Sequence, residues 1–364
     1  MSVNLKVYAG NHNRFSCPVS AKLERRLPFE RGALVTAAGK RAQAQISAEG
    51  GGAKVTWILD YLLKGEAMEY GLAEDDAAPL CKSEDRGDKV DVYLPDGYYT
   101  TYYYGDKTVK PYLGPFKGAN GEQITRLNPD EREHVHHRSV WISHGSVNGV
   151  DTWNEPAGVH GRILNKGIGA IENGPALTCF TAANTWTDFD RKPLLDDKTK
   201  IIFYAGPPTA RIVDFEIALF ANYGDVILGG TKEAGPIAVR MNYNLAVDET
   251  GTMINGYGGI NEGEVWMKRA PWCDYYGLES GRTCGAAILD NPENVGYPSY
   301  WHSRNYGLMA PNNFHIPGDT IIAAGGCVTY KYRMIFHAGD AATADIAGKF
   351  HDYASPPAVT AEYI

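Results

Sequence analysis

Apolar and polar positions alternate with a period of two along most of the chain, the pattern of strands that bury one face. In Ala210–Ala221 (ARIVDFEIALFA), Arg211, Val213, Phe215, Ile217 and Leu219 share one face, and Ile212, Asp214, Glu216, Ala218 and Phe220 the other. The same reading predicts strands over 3–8, 16–24, 33–37, 43–48, 53–60, 89–94, 98–104, 138–144, 161–172, 175–187, 199–205, 236–246, 283–289 and 326–336. Asn-Gly, Asp-Gly, Gly-Gly and Pro-Gly steps separate many of them, as turns would. Helical spacing stands out in Asp340–Ala354, where Ile346, Phe350 and Tyr353 fall together. The expected fold is all-β: a large antiparallel two-sheet β-sandwich, supersandwich-like, with long loops and a C-terminal helix. Residues 64–88 are charged and irregular and read as a surface excursion. A single large unit over 1–364 is expected, with a small N-terminal sub-domain over 1–90 as the alternative.

Composition narrows the class. Hydrophobic residues are 44% and charged residues 21%, ordinary globular values. The net charge is -8 and no Lys/Arg-rich run occurs, so a phosphate backbone finds little attraction and no nucleic-acid partner is expected. No apolar stretch approaches the ~18 residues of a membrane span. The N-terminus has no signal-peptide-like apolar run. The six cysteines are scattered without CxxC spacing and read as reduced core residues. Together these features predict a cytoplasmic protein with no membrane partner; self-association is left open.

The chemistry gathers in 134–155, HVHHRSVWISHGSVNGVDTWNE. Four histidines (His134, His136, His137, His144) fall within eleven residues, and His160 follows. Histidine titrates near neutrality, so such a group suits proton transfer. Arg138 adds a fixed cation able to hold a carboxylate, a sulfate or a developing oxyanion. Asn148, Asp151, Trp153, Asn154 and Glu155 follow on an Asn-Gly turn and read as a loop-borne, substrate-binding rim. If 134–138 is extended, His134, His136 and Arg138 share a face and His137 points away. No cofactor is expected. The histidine cluster is where a divalent metal would sit, but its spacing matches no compact signature such as HExxH.

Three further segments add candidates. In Tyr98–Tyr104 (YYTTYYY), Tyr98, Thr100, Tyr102 and Tyr104 share a face, which aromatic cross-strand packing explains and a sugar platform would also use. The following KPYLGPF brings Lys110 and Tyr112 towards the same cleft. LDNPENVGYPSYWHSRNYG (289–307) is loop-like and offers Trp301, His302, Arg304 and Tyr306. In TKEAGPIAVRMN (231–242), Lys232, Glu233 and Arg240 read as solvated charges and an ion pair.

KPYLGPF at 110–116, the histidine motif at 134–155, TKEAGPIAVR at 231–240 and LDNPENVGYPSYWHSRNYG at 289–307 together resemble the PmoA-like proteins, a name historically tied to methane oxygenase. The likeness runs from about residue 90 onwards, and the histidine motif is its specific part. That family usually reads HPHHR; here Val135 replaces the proline. The resemblance implies a β-sandwich protein with a carbohydrate-related function.

The favoured reading is an enzyme acting on a saccharide or oligosaccharide by His/Arg-assisted acid–base chemistry of lyase or dehydratase type. His136, His137, Arg138, His144 and His302 are the catalytic candidates. Tyr104, Tyr112, Asn148, Asp151, Trp153, Asn154, Glu155, Trp301 and Arg304 are the substrate-binding candidates. The alternatives are a glycoside hydrolase using Asp151 and Glu155, a mutarotase- or epimerase-like enzyme, and a non-catalytic sugar-binding protein.

Overall fold

The computed structural model describes residues 3–76, 78–127 and 133–364. Its regular structure is nearly all antiparallel sheet. A seven-stranded N-terminal sheet joins Arg14–Leu23, Gly52–Leu62, Arg41–Glu49, Arg31–Val35, Ala67–Glu74, Val3–Tyr8 and the final strand Ala358–Tyr363, in that spatial order. Val3–Tyr8 and Ala358–Tyr363 pair residue for residue, so both ends of the described chain lie in one sheet. Leu5, Val7, Val19, Val55 and Trp57 fill a core that belongs to this sheet.

The remainder is a β-sandwich. Its front sheet has eight strands in the order Trp301–Arg304, Leu308–Pro311, Ala234–Arg240, Val140–His144, Tyr112–Gly114, Gly97–Tyr103, Lys89–Leu94 and Lys82–Asp85. The back sheet is centred on Leu177–Thr187, Pro193–Tyr204, Ala210–Phe220, Cys327–Ala338, Arg282–Asp290 and Trp272–Glu279. Between them lies the main core. Phe116 stacks on Phe336 with ring centres 3.9 Å apart, and Tyr102 meets Phe180 at 5.6 Å. Burying each such ring stabilises the fold by roughly 1.5–3 kcal/mol. The alternation in 210–220 serves this arrangement: Val213, Phe215, Ile217 and Leu219 enter the main core, while Ile212 packs on the outer side.

The helix is Ile346–Ala354, shorter than the predicted 340–354. Asp345 stops it at its start by accepting a hydrogen bond from the Gly348 N–H, an N-cap. Ile346 and Phe350 then pack with Leu289 and Ile335 on the outside of the back sheet. No helix among the described residues is long and apolar enough to cross a membrane. All six cysteines are free; Cys327 alone of them is exposed.

Three expectations need correction. The segment 289–307, read as a loop, supplies the edge strand Trp301–Arg304 of the front sheet. The charged segment 64–88 is not a mere excursion: it supplies strands Ala67–Glu74 and Lys82–Asp85. Ala67–Glu74 sits between two partners, so backbone bonding holds it although only Tyr70 and Leu72 are buried. Strict alternation also fails in the tyrosine strand. Tyr93 pairs with Tyr98 but Val92 pairs with Thr100, leaving Tyr99 as the extra residue of a bulge. Tyr99 and Tyr102 therefore both enter the main core.

Candidate functional site

The site is built on the outer face of the front sheet. Antiparallel register sets Tyr103 opposite Tyr112, Tyr112 opposite Trp141 and Trp141 opposite Ala238. Farther across the same sheet, Ala310 lies opposite His302. Alternation decides which side chains face outward: Ile237, Val239, Met309 and Trp301 point into the main core. Trp141, Ala238, Leu308 and Ala310 form a second cluster on the other face. Two alanines lie between Trp141 and His302, and Trp153, arriving from a loop, packs over them. Its ring centre is 5.2 Å from that of Trp141 and 6.4 Å from that of His302.

The loop owes its shape to local chemistry. Asn148 and Gly149 both have positive φ and form a two-residue turn closed by reciprocal bonds between Val147 and Val150. Asp151 accepts hydrogen bonds from the backbone N–H of Trp153 (2.8 Å) and of Asn154 (2.9 Å), and from the Asn154 side chain (2.8 Å). Glu155 follows in a left-handed conformation and meets two cations. Lys110 Nζ donates to its Oε1 at 2.7 Å and to the Trp153 carbonyl at 2.8 Å. Arg138 lies across both carboxylate oxygens, at 2.7 and 3.2 Å. Burial alone would raise the Glu155 pKa, but the two cations outweigh it and hold the carboxyl at about 2. Burial lowers Lys110 to about 8 against the pull of Glu155.

Above this floor sits a tight turn, in which the His137 N–H bonds the His134 carbonyl at 2.9 Å. The condition of an extended 134–138 is not met, and the histidines do not alternate between faces. The turn instead gathers them. Tyr306, His134, His137 and Trp141 are linked by near-parallel ring contacts, with successive centres 4.7, 4.8 and 4.9 Å apart and Tyr306 6.5 Å from His137. His136 meets His137 edge to face at 4.4 Å. A second ionic group braces the turn. Glu133 receives Arg126 and Arg240 and also pairs with His134. Arg126 further donates to the carbonyls of His134 and His137. Burial favours a neutral Glu133, yet His134, Arg240 and Arg126 keep it ionised, with a pKa of about 2.

His136 and His137 are neutral at ordinary pH. Burial, then the Lys110 ammonium, lowers His136 to about 4. His137 is lowered well below the normal range by burial, His136 and Arg240. Arg240 donates to His137 Nδ1 at 3.1 Å. A guanidinium has no acceptor, so Nδ1 must accept and the ring proton resides on Nε2. His136 Nε2 is buried with no hydrogen-bond partner, as is the Trp141 indole N–H. Among the described residues no three His, Cys, Asp or Glu side chains converge as a metal site would need.

The predicted residues therefore separate into groups. His136, His137, Arg138, Trp153, Glu155 and His302 converge on the outer face of the front sheet, and Tyr112 packs beside Trp141 and Trp153. Asp151 and Asn154 shape the loop. His144 stands apart: it is buried against Phe314 and donates from Nε2 to the Gly229 carbonyl at 3.0 Å. Asn148 ties its turn to the Asp225 carbonyl and the Ile227 N–H. Trp301 is wholly buried in the main core, its indole donating to the Ala270 carbonyl. Tyr104 bonds Asp85 on the next-but-one strand, and Arg304 pairs with Glu262 at 3.0 Å. His160 bonds the Pro156 carbonyl.

Sequence reasoning missed Glu133 and Arg126 and misread Arg240 as solvated. Lys232 and Glu233 do form a partly exposed ion pair, but Arg240 is buried. The available signal was alternation: Arg240 is two residues from Ala238 and so shares the site-facing side of its strand.

Comparison with solved structures finds a protein in the glycosyl hydrolase family 38 from Enterococcus faecalis, 9% identical, with a TM-score of 0.43, covering 100% of this chain and 47% of that chain. An alpha-galactosidase from Lactobacillus brevis is 9% identical with a TM-score of 0.29, covering 87% of this chain and 39% of that chain. The chain thus spans less than half the length of either. No curated protein matches it. The model of a family of unknown function (DUF6807) matches residues 89–351, which takes in the site and the sandwich apart from strand Lys82–Asp85 and leaves out all seven strands of the N-terminal sheet.

Proposed function

This chain belongs to the DUF6807 family of unknown function, and on that premise we propose that it is a carbohydrate-active enzyme whose histidine turn carries out acid–base chemistry of lyase or dehydratase type on a saccharide. One observation carries the reading: His136 is uncharged at neutral pH, its Nε2 is buried and unpartnered, and it stands beside the Lys110–Glu155–Arg138 group. A neutral imidazole offers one unprotonated ring nitrogen that can accept a proton, and burial keeps its basicity low until an anion lies beside it. His137 is its complement. With Nδ1 occupied by Arg240, it presents a neutral N–H from Nε2, which can hydrogen-bond an oxygen as negative charge develops there. Arg138 adds fixed positive charge for the same anion. The partly exposed His134 and the nearby polar groups can meet the hydroxyls of a sugar.

The hydrolase alternative draws less support from this geometry. Both Asp151 oxygens hold the loop, and both Glu155 oxygens lie on cations. A carboxyl held at about 2 is a poor proton donor and a weak base at neutral pH.

The test is turnover of a saccharide panel, followed by NMR and by ultraviolet absorption of unsaturated products. His136→Gln is expected to lower kcat by about 10²–10⁴-fold, the usual scale for losing a general base. Glu155→Asp, which retains the charge, should cost far less. Unchanged turnover in His136→Gln would sink the proposal.

A further inference from the structure

The ionic group beside His136 is not symmetric in its exposure. Lys110 is sealed at 1% and Glu155 nearly so at 10%, while the Arg138 side chain is 24% exposed. Arg138 is thus the member of the group that reaches solvent, held by Glu155 in a fixed plane. Two of its five N–H donors are committed to that carboxylate. Glu155 answers two cations with one charge, and Asp151 is occupied by its own loop. We infer that the substrate is a saccharide bearing a carboxylate, a uronic or aldonic acid, whose carboxylate docks on Arg138 beside His136. This rests on the acid–base reading given above.

Reaction chemistry points the same way. A ring C–H of a neutral sugar is far too weak an acid for an imidazole. A C–H next to a carboxylate becomes removable when fixed cations neutralise the charge that spreads onto the carboxylate oxygens. On a uronate, His136 would take the proton from C5, and the C5–H electron pair would become the C4–C5 double bond. The C4–O bond breaks, and the protonated His136 passes its proton to the leaving oxygen, which restores the neutral imidazole. Atoms and electrons balance with no oxidant or reductant. The bound carboxylate also improves the base. An anion next to His136 opposes burial and the Lys110 charge, the causes that depress its basicity, and moves it towards neutrality.

Calorimetric titration should use D-glucuronate and D-galacturonate, their methyl esters, and D-glucose and D-galactose. The esters keep the ring and remove the charge. On the wild type the uronates are expected to bind at least about tenfold more tightly than their esters, with the advantage shrinking as salt is raised. R138Q should erase that preference while ester binding is kept, and R138K should retain part of it, since a lysine keeps charge but not the fork. Thermal melting of both variants checks that they fold. The His136 resonance should titrate at higher pH with glucuronate bound. Equal or tighter binding of the esters or aldoses, a preference that persists in R138Q, or no uronate binding at millimolar concentration overturns the inference.

Exchange of the C5 proton in D₂O separates this inference from the reading beneath it. Uronate preference without exchange that depends on His136 keeps the carboxylate site and removes the acid–base reading. Turnover of a neutral saccharide that depends on His136, without uronate preference, does the reverse.

Discussion

Histidines dominate the site, and most are buried without charge, which ties the protein's stability to pH. Burial holds His144 at about 4 and His302 at about 3, against 6.5 when unfolded. Below 6.5 the unfolded chain therefore binds more protons than the folded one, and stability falls as pH drops towards those values. Each histidine contributes at most about 1.4 kcal/mol per pH unit within its window. His337 has the opposite sign. Asp274 outweighs its burial and raises its pKa, so its contribution is full below 6.5 and fades as pH rises through the folded value. The net expectation is a melting temperature that declines from pH 7 to pH 5, with a smaller decline in a His144→Gln/His302→Gln double variant; equal declines in both proteins would refute it. Glu155 offers a second measurement. Removing its charge in Glu155→Gln strands Lys110 in the interior, which should cost roughly 3–5 kcal/mol in chemical denaturation. Adding Lys110→Met should recover part of that loss, and strict additivity would show that the pair is not coupled. The histidine cluster itself was legible because residue type and spacing suffice to mark it. The cations that help keep its rings neutral, Lys110 for His136 and Arg240 for His137, come from distant segments, and adjacency in sequence carries no trace of that.

At the scale of elements, the site depends on small residues under a large one. Ala238 lies beneath Trp153 in the outer cluster of the front sheet, so Ala238→Leu should overpack the floor and cost about 1–3 kcal/mol. Trp153→Ala empties the same space and should cost about 3–5 kcal/mol. Hydrogen exchange would localise both effects: faster exchange at the Trp153 and Asn154 amides, with strand Leu177–Thr187 unchanged, is expected. Uniform loss of protection would mean that the loop is not a separate unit. Among the described residues, period-two alternation located fifteen of the twenty-six strands, twelve of them to within three residues at each end, because each of these buries one face; it missed others such as Trp272–Glu279 and Leu308–Pro311. It failed at Tyr99, where a bulge inserts a residue, and it does not apply over 134–138, where the chain turns. Both are local departures from regular backbone, set by pairing with other strands and by hydrogen bonds to Arg126.

Over the whole molecule, the final strand closes the N-terminal sheet against Val3–Tyr8. Truncation after Pro357 would expose that strand as an unpaired edge. Reduced protection and a lower melting transition in residues 3–74 are expected, with the Phe116–Phe336 core retained; intact protection in Val3–Tyr8 would contradict the pairing. That closure joins residues some 350 apart, and no pattern along the chain announces it. By itself the sequence determined what depends on local composition and period: the all-β class, most strand positions, a short C-terminal helix and the segment where the chemistry lies. Only the tertiary structure decided which side chains meet. Register across the front sheet set Trp141 and His302 on one face, while Trp301 went to the core and His144 to the Gly229 carbonyl. The physical reason is that alternation assigns a residue to a face, whereas a proton acceptor, its charge and its neighbouring cation arise from contacts between strands and loops far apart in the chain. The 134–155 segment is therefore both readable and incomplete: its histidines are written in it, while Lys110 and Arg240, which help keep His136 and His137 neutral, come from elsewhere.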